Sequence, residues 1–323
     1  MWLTVLLFCL GLLCLIKGGD WFVDGATGIA QRYHVPELLI GATVVSIGTT
    51  LPEAMVSATS AVQGFSGIAY GNAIGSIICN TALISALTIA IAPSVVEKKP
   101  LRMPLLFFFG SAILYAAIAY LFGRFDRISG IMLLLIFCVY MVLQVRQAVT
   151  QGGGNKEAAS GETPAHAAPL WKDILLLIVG AALIAVGARL LVDNGTKLAQ
   201  ALGVPETVIA VTFVALGTSL PELVTAIVSL AKGHGALSLG NIIGANLFNL
   251  VLVSGLAITI NPFDVPSEKQ IAGMNASLVV DIPLMFLVMA LMALPAVFTG
   301  KLRRYQGILL LALYAGYCVF QFM

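Results

Sequence analysis

Two hexapeptides hold the residues best placed to do chemistry, Gly48-Thr49-Thr50-Leu51-Pro52-Glu53 and Gly217-Thr218-Ser219-Leu220-Pro221-Glu222, each midway along an apolar stretch. A carboxylate at the centre of a bilayer costs about 2.5–3.5 kcal/mol even on a lenient insertion scale, so it faces a polar interior or a water-filled path. Pro52 and Pro221 have no N–H to give to the carbonyls of Gly48 and Gly217, and their rings crowd those carbonyls. The spacing predicts a broken helix at each motif, with freed carbonyls beside the hydroxyls of Thr49, Thr50, Thr218 and Ser219. Such backbone is tolerated at membrane depth where it is buried in protein or lines a cavity, and there it coordinates ions.

A second pair of motifs supplies the facing wall: Gly71-Asn72-Ala73-Ile74-Gly75-Ser76-Ile77-Ile78-Cys79-Asn80 and Gly240-Asn241-Ile242-Ile243-Gly244-Ala245-Asn246-Leu247-Phe248-Asn249. Asn72, Ser76 and Asn80 fall at i, i+4 and i+8 on one helix face, as do Asn241, Ala245 and Asn249 in the second copy. Gly75, Gly244 and Ala245 let backbones approach closely. Asn72 and Asn241 start their spans, so helix capping and ion binding are both open readings for them. Two carboxylates, two amides, hydroxyls and carbonyls make an all-oxygen set. It suits hard cations such as Ca²⁺ or Na⁺, whereas zinc or copper would want imidazole or thiolate. His34, His166 and His234 all fall in loops, and no cofactor is implied.

The elements that position these motifs follow from composition. The chain has 323 residues, 59% hydrophobic and 10% charged, with a mean hydropathy of +1.01; soluble domains carry about 25% charged residues. Punctuation by polar residues, Pro and Gly predicts ten spans, near 2–28, 36–63, 67–92, 103–122, 128–148, 170–194, 205–231, 236–260, 281–299 and 304–322. Gln151–Pro169, rich in Gly, Ala, Glu and Thr, reads as a flexible linker between a first half, 1–150, and a second, 170–323. The stretch ahead of Lys17 lacks a basic n-region, which favours a retained first helix over a signal peptide. Five cysteines lie in apolar stretches without a CxxC pair and read as small apolar residues.

Sliding the second half over the first so that Asp193 meets Asp24 also aligns Pro36-Glu37 with Pro205-Glu206 and Gly71-Asn72 with Gly240-Asn241. Over Asp24–Asn80, 22 of 57 positions are identical to Asp193–Asn249. The chain is therefore a duplication. Five spans per half is an odd number, so the second copy enters from the opposite side, the inverted-repeat plan of secondary transporters. The expected fold is an all-α integral membrane protein of ten transmembrane helices in two inverted five-helix repeats. Lys and Arg distribution sets orientation: with the N-terminus outside, inner loops collect Arg32, Lys98, Lys99, Arg102, Arg146, Lys156, Lys172, Lys232, Lys301, Arg303 and Arg304, and outer loops only Arg124, Arg127, Lys197 and Lys269. The expectation is an external N-terminus and a cytoplasmic linker in the cell membrane. A net charge of +2 offers no nucleic-acid patch, and beyond the lipid bilayer no obligate protein partner is evident. Asp24, Asp193, Lys17, Asp20 and Arg189 lie near span ends, where pairing or snorkelling competes with a vestibule role for the two aspartates.

These residues resemble the calcium/cation antiporter superfamily, whose two alpha-repeats carry GTSLPE-like and GNxxGSNxxN-like motifs, and most of all its prokaryotic sodium/calcium exchanger branch. The match covers all ten spans in layout and is most specific over Gly41–Asn80 and Ala210–Asn249. The resemblance implies an antiporter that extrudes Ca²⁺ against an inward Na⁺ gradient by alternating access. By motif position it implies that Glu53 and Glu222 bind both ions, with backbone carbonyls of Thr49 and Thr218 on Ca²⁺. Thr50, Ser76 and the Ser46 carbonyl would form one flanking Na⁺ site. Ser219, the Ala215 carbonyl and position 245 would form the other, and Asn80 and Asn249 would complete the centre. Ala245 and Asn249 depart from the Ser and Asp of some archaeal members, which removes a hydroxyl and a charge. Cation/proton exchangers usually carry Glu at the positions of Gly75 and Gly244, and potassium-dependent exchangers Asp at that of Asn249; neither signature is present, which favours Na⁺ over H⁺ or K⁺. A channel could use the same ligands, but a site split equally between inverted halves fits rocking better than a fixed pore. An intramembrane hydrolase would need a nucleophile with its base, and the chain has no membrane histidine and no GxSxG.

Overall fold

The computed structural model describes residues 2–158, 169–202, 217–267, 270–271 and 273–322, the side chains of 149–158, 199 and 322 excepted. Ten helices lie among them: α1 Trp2–Arg32, α2 Glu37–Val62, α3 Ser66–Ile91, α4 Lys98–Phe122, α5 Arg127–Ala158, α6 Leu170–Ala201, α7 Leu220–Ala231, α8 Gly235–Ile260, α9 Ser277–Thr299 and α10 Arg304–Phe322. Eight are long and apolar enough to cross a membrane. The first part of the seventh expected span, 205–216, lies outside the described residues.

Two expectations need correction. α5 continues to Ala158, so the first part of the expected linker, 151–158, is helical. Proline, which would end the helix, first occurs beyond it at Pro164. The helix is also unbroken at Pro52, which lies inside Ser46–Val62. One proline removes one hydrogen bond, and a transmembrane helix tolerates that loss where neighbouring helices and side chains re-satisfy the freed carbonyl. The local irregularity sits upstream instead, in a π-helical turn at Gly41–Val45. In the second half, α7 begins at Leu220 with Pro221 in its first turn, where the missing N–H is unneeded anyway.

The duplication is visible in the turns. Gly64 and Gly233, equivalent positions of the two halves, both have φ +82° and join the second helix of each repeat to the third. Gly123 and Gly300, at φ +63° and +69°, cap the fourth; only glycine takes this left-handed conformation without penalty. Two short ladders repeat the same logic across the halves. Ser94–Val95, after α3, pairs with Lys301–Leu302 between α9 and α10. Phe263–Asp264, after α8, pairs with Arg124–Phe125 between α4 and α5. Just beyond that ladder, the Ser129 N–H donates to Asp126 Oδ1 at 2.7 Å, which starts α5 and holds this exposed carboxyl below its ordinary pKa.

α1 and α6 pack antiparallel through glycines. A Cβ on Gly11, Gly18 or Gly25 would stand 2.6–2.9 Å from α6 backbone atoms, and one on Gly180 or Gly187 equally close to α1, so the two backbones touch. This pair is peripheral: 22% of the most apolar stretch of each helix is buried, against 61% for α2, 67% for α3 and 83% for α8. The centre of the molecule is thus the four motif-bearing segments.

Pairing explains the charges near the span ends. Lys232 reaches Asp24 at 2.8 Å and Asp20 at 3.5 Å, tying α7 to α1, while Lys17 lies 3.9 Å from Asp20 and Arg189 3.7 Å from Asp193. His234 Nδ1 meets Glu37 at 2.8 Å where α8 and α2 begin. Partly exposed pairs of this kind contribute about 0–1 kcal/mol. Lys232→Met is therefore expected to shift the thermal unfolding midpoint only slightly, as differential scanning calorimetry of the purified protein would read.

Candidate functional site

Glu53 on α2 and Glu222 in the first turn of α7 are both completely buried, close enough for their charges to repel. Thr49 and Thr50 face the Glu222 carboxylate across the repeat boundary, yet no oxygen of either carboxylate closes a hydrogen bond. Buried polar groups are normally paired, and an uncompensated buried charge costs several kcal/mol. This is a site built for something that brings positive charge.

Asn80 and Asn249 each open a π-helical segment, Asn80–Ser85 in α3 and Asn249–Val253 in α8. Such widened turns are frequent at functional sites. The two segments cross over: the one starting at Asn80 packs on α7, which carries Glu222, and the one starting at Asn249 packs on α2, which carries Glu53. Both amides are fully buried, and all four of their polar atoms lack a partner. The Thr50 and Ser219 hydroxyls are likewise buried and unpartnered. Four carboxylate, two amide and two hydroxyl oxygens are thus orphaned at the centre. No group of three or more His, Cys, Asp or Glu able to hold a metal occurs among the described residues.

The other expected site residues divide. Ser46 is buried at the end of the first π turn, donating its hydroxyl to Gly41 O at 2.7 Å and to Asn241 O at 3.0 Å. Thr49 donates to Asn241 Oδ1 at 3.1 Å, so its side chain is committed and its carbonyl is the group left for a ligand. Ser76 is buried on α3 and Thr218 partly buried ahead of α7. Ala215 lies outside the described residues.

Spacing alone did not resolve the roles of Asn72 and Asn241. Asn72 Nδ2 donates to Glu53 O at 3.0 Å and Ser57 Oγ at 2.9 Å, fixing α3 to the backbone of the carboxylate helix. Asn241 instead accepts from α2. Neither is a helix cap. The available signal was Ser57, one turn beyond Glu53 and without a hydroxyl at its counterpart Ala226. Asn72→Ala leaves the Glu53 carbonyl without this donor, a loss of about 1–3 kcal/mol. The expected outcome is a lower unfolding temperature and reduced but measurable ion affinity, read by thermal shift with and without Ca²⁺.

α8 crosses the π turn of α2 at backbone contact. A Cβ on Gly240 would lie 2.2 Å from Leu38 O, and one on Gly244 2.2 Å from Ser46 Oγ. Tyr140 supports the same turn from α5, its hydroxyl donating to Ala42 O at 3.0 Å and receiving Gln144 Nε2 at 2.8 Å.

Comparison with known proteins bears on the family and the fold. The model of a family described as sodium/calcium exchanger protein matches residues 3–146 and 172–323. Sodium/calcium exchanger MaX1 of Methanosarcina acetivorans is 31% identical over 351 residues, covering 98% of each chain. Inner membrane protein YrbG of Escherichia coli is 36% identical over 273 residues, 82% of each chain. A solved structure of the sodium-calcium exchanger NCX_Mj, soaked with Na⁺ and Sr²⁺, superposes with a TM-score of 0.80 at 34% identity over 98% of each chain.

Proposed function

The chain belongs to the sodium/calcium exchanger protein family, and on that premise we propose that it is a multi-pass membrane antiporter exchanging Ca²⁺ for Na⁺ by alternating access around Glu53 and Glu222. It is a transporter and not an enzyme. The observation that carries this reading is the group of eight orphaned buried oxygens drawn equally from the two repeats, an all-oxygen set of the kind that hard cations such as Ca²⁺ and Na⁺ take. One Ca²⁺ balances both carboxylates, or Na⁺ ions do so in turn. An empty centre leaves two uncompensated charges in a low-dielectric interior, and that cost couples outward movement of one ion to inward movement of the other.

Within this reading Glu53 and Glu222 ligate both ions, and the Thr49 and Thr218 carbonyls add to Ca²⁺. Thr50, Ser76 and the Ser46 carbonyl flank one side for Na⁺, with Ser219 and the Ala215 carbonyl on the other. Asn80 and Asn249 close the centre as neutral oxygen donors. The halves are 1–150 and 170–323, joined on the cytoplasmic side, with the N-terminus external. In Ser160→Cys protein the new thiol is then labelled by an impermeant maleimide only when the cytoplasmic face is exposed; labelling from outside intact cells reverses the orientation.

Function is tested by loading proteoliposomes with Na⁺ and diluting them into Na⁺-free medium containing radioactive Ca²⁺. Uptake that requires the Na⁺ gradient is expected. Uptake that ignores it, or follows an imposed pH gradient alone, removes Na⁺ coupling.

A further inference from the structure

Between α2 and α6, an apolar groove of about 680 Å³ runs beside Gly48 and Pro52, lined among others by Phe22, Ile47, Leu51, Met55, Ile178 and Ala182. Behind it lies a small crevice bounded by Thr49, Pro52, Ala185 and Pro221. The mouth residues Leu51, Met55 and Ile178 are 53%, 66% and 61% exposed.

Depth and chemistry select the occupant. A bound water needs two to four polar partners, and the groove's side chains offer none. Its volume greatly exceeds the ~150 Å³ in which an apolar cavity takes up a benzene ring. Along α6, the rise from Lys172 to Ala182 is about 15 Å, which is half of the ~30 Å hydrocarbon core. Trp171, 66% exposed at the start of α6, and Tyr33, 48% exposed just past α1, are residues that sit at headgroup level. A phospholipid anchored there lays one acyl chain along the groove and ends it at the bilayer midplane.

We propose that this groove binds one acyl chain of a phospholipid from the leaflet that Trp171 and Lys172 face, directly behind the helix that carries Glu53. The proposal goes beyond ion exchange, and its test reads lipid contact whether or not the chain transports. The full chain is reconstituted in phosphatidylcholine vesicles containing a minor fraction of phosphatidylcholine with a diazirine in mid-chain, irradiated, and the adducts mapped by mass spectrometry. Leu12 and Leu13, exposed on α1, report ordinary boundary lipid. Adducts at Ile47, Leu51 and Ile178 are expected to exceed those at Leu12 and Leu13 severalfold. Ala182→Phe, which fills the groove, should remove that excess while leaving Leu12 and Leu13 unchanged, and Ala185→Leu should do the same more mildly. Groove adducts no more frequent than those on α1, or unchanged when the groove is filled, overturn the proposal.

Discussion

Glu53→Ala and Glu222→Ala each lower Na⁺-driven Ca²⁺ uptake by roughly 100-fold or more, the effect expected when removing one partner of a buried charge interaction costs about 3–5 kcal/mol. Each carboxylate is fully buried and unpartnered, so neither supports the fold through a bond that its removal would break. Stability should therefore move opposite to transport. In ion-free detergent, Glu53→Gln and Glu222→Gln relieve the repulsion between the two carboxylates and raise the unfolding temperature. Added Ca²⁺ stabilises the parent protein by binding the folded state, and that increment disappears in both variants. A structural role for the glutamates would give the reverse pattern, lower ion-free stability with the Ca²⁺ increment retained. Thermal denaturation with and without Ca²⁺, run beside the flux assay, separates the two.

The second large effect falls on residues with no side chain. Gly244→Ala puts a methyl group 2.2 Å from Ser46 Oγ and 2.7 Å from the Ala42 Cα, and Gly240→Ala puts one 2.2 Å from Leu38 O. Neither can be absorbed by swinging a long side chain, because the obstacles are backbone or a hydroxyl already bonded to Gly41 O. Overpacking of this kind costs about 1–3 kcal/mol per site. Here it also displaces Ser46 and the π turn that leads into Thr49, Thr50 and Glu53. Gly244→Val is expected to lose most of its exchange activity and to unfold at markedly lower temperature. Gly110→Ala is the control: that glycine lies on α4, and among the described residues nothing stands within 4 Å of its would-be Cβ. Equal tolerance of the two substitutions would show that the α8–α2 crossing is looser than its contacts imply.

Much of the centre was legible in the sequence because its signals are costly ones. A carboxylate next to a proline inside an apolar span is expensive, and the near-identical hexapeptide at the matching place in the second half removes coincidence. Asn80 and Asn249 were legible for the same reason. The π turns were not: two of them begin at Asn80 and Asn249, but those at Gly41–Val45 and Ser277–Asp281 begin at Gly and Ser, so no single residue type marks the start of a widened turn. Nor could spacing reveal the crossed arrangement, in which each carboxylate helix meets the amide segment of the other half, because helical periodicity says which face is polar and not which helix that face meets. Pro52 shows the limit from the other side. The rule that proline interrupts a helix assumes the lost bond decides the matter, whereas packing around α2 keeps the helix continuous and the widening occurs at Gly41–Val45. Over the first part of the linker, Gly152–Gly154 suggest a coil, yet glycine weakens a helix by only about 1 kcal/mol per residue, and α5 runs on to Ala158.

The central claim is that one buried centre, neutralised by either ion, serves both. Equilibrium binding of radioactive Ca²⁺ to the purified protein, repeated at rising Na⁺ concentration, tests it most directly. Sharing of Glu53 and Glu222 predicts that Na⁺ displaces Ca²⁺ competitively, lowering apparent affinity without lowering the number of sites at saturation, and that the Glu53→Gln, Glu222→Gln double variant binds neither ion there. Ca²⁺ binding that is indifferent to Na⁺, or that survives in the double variant, contradicts the account.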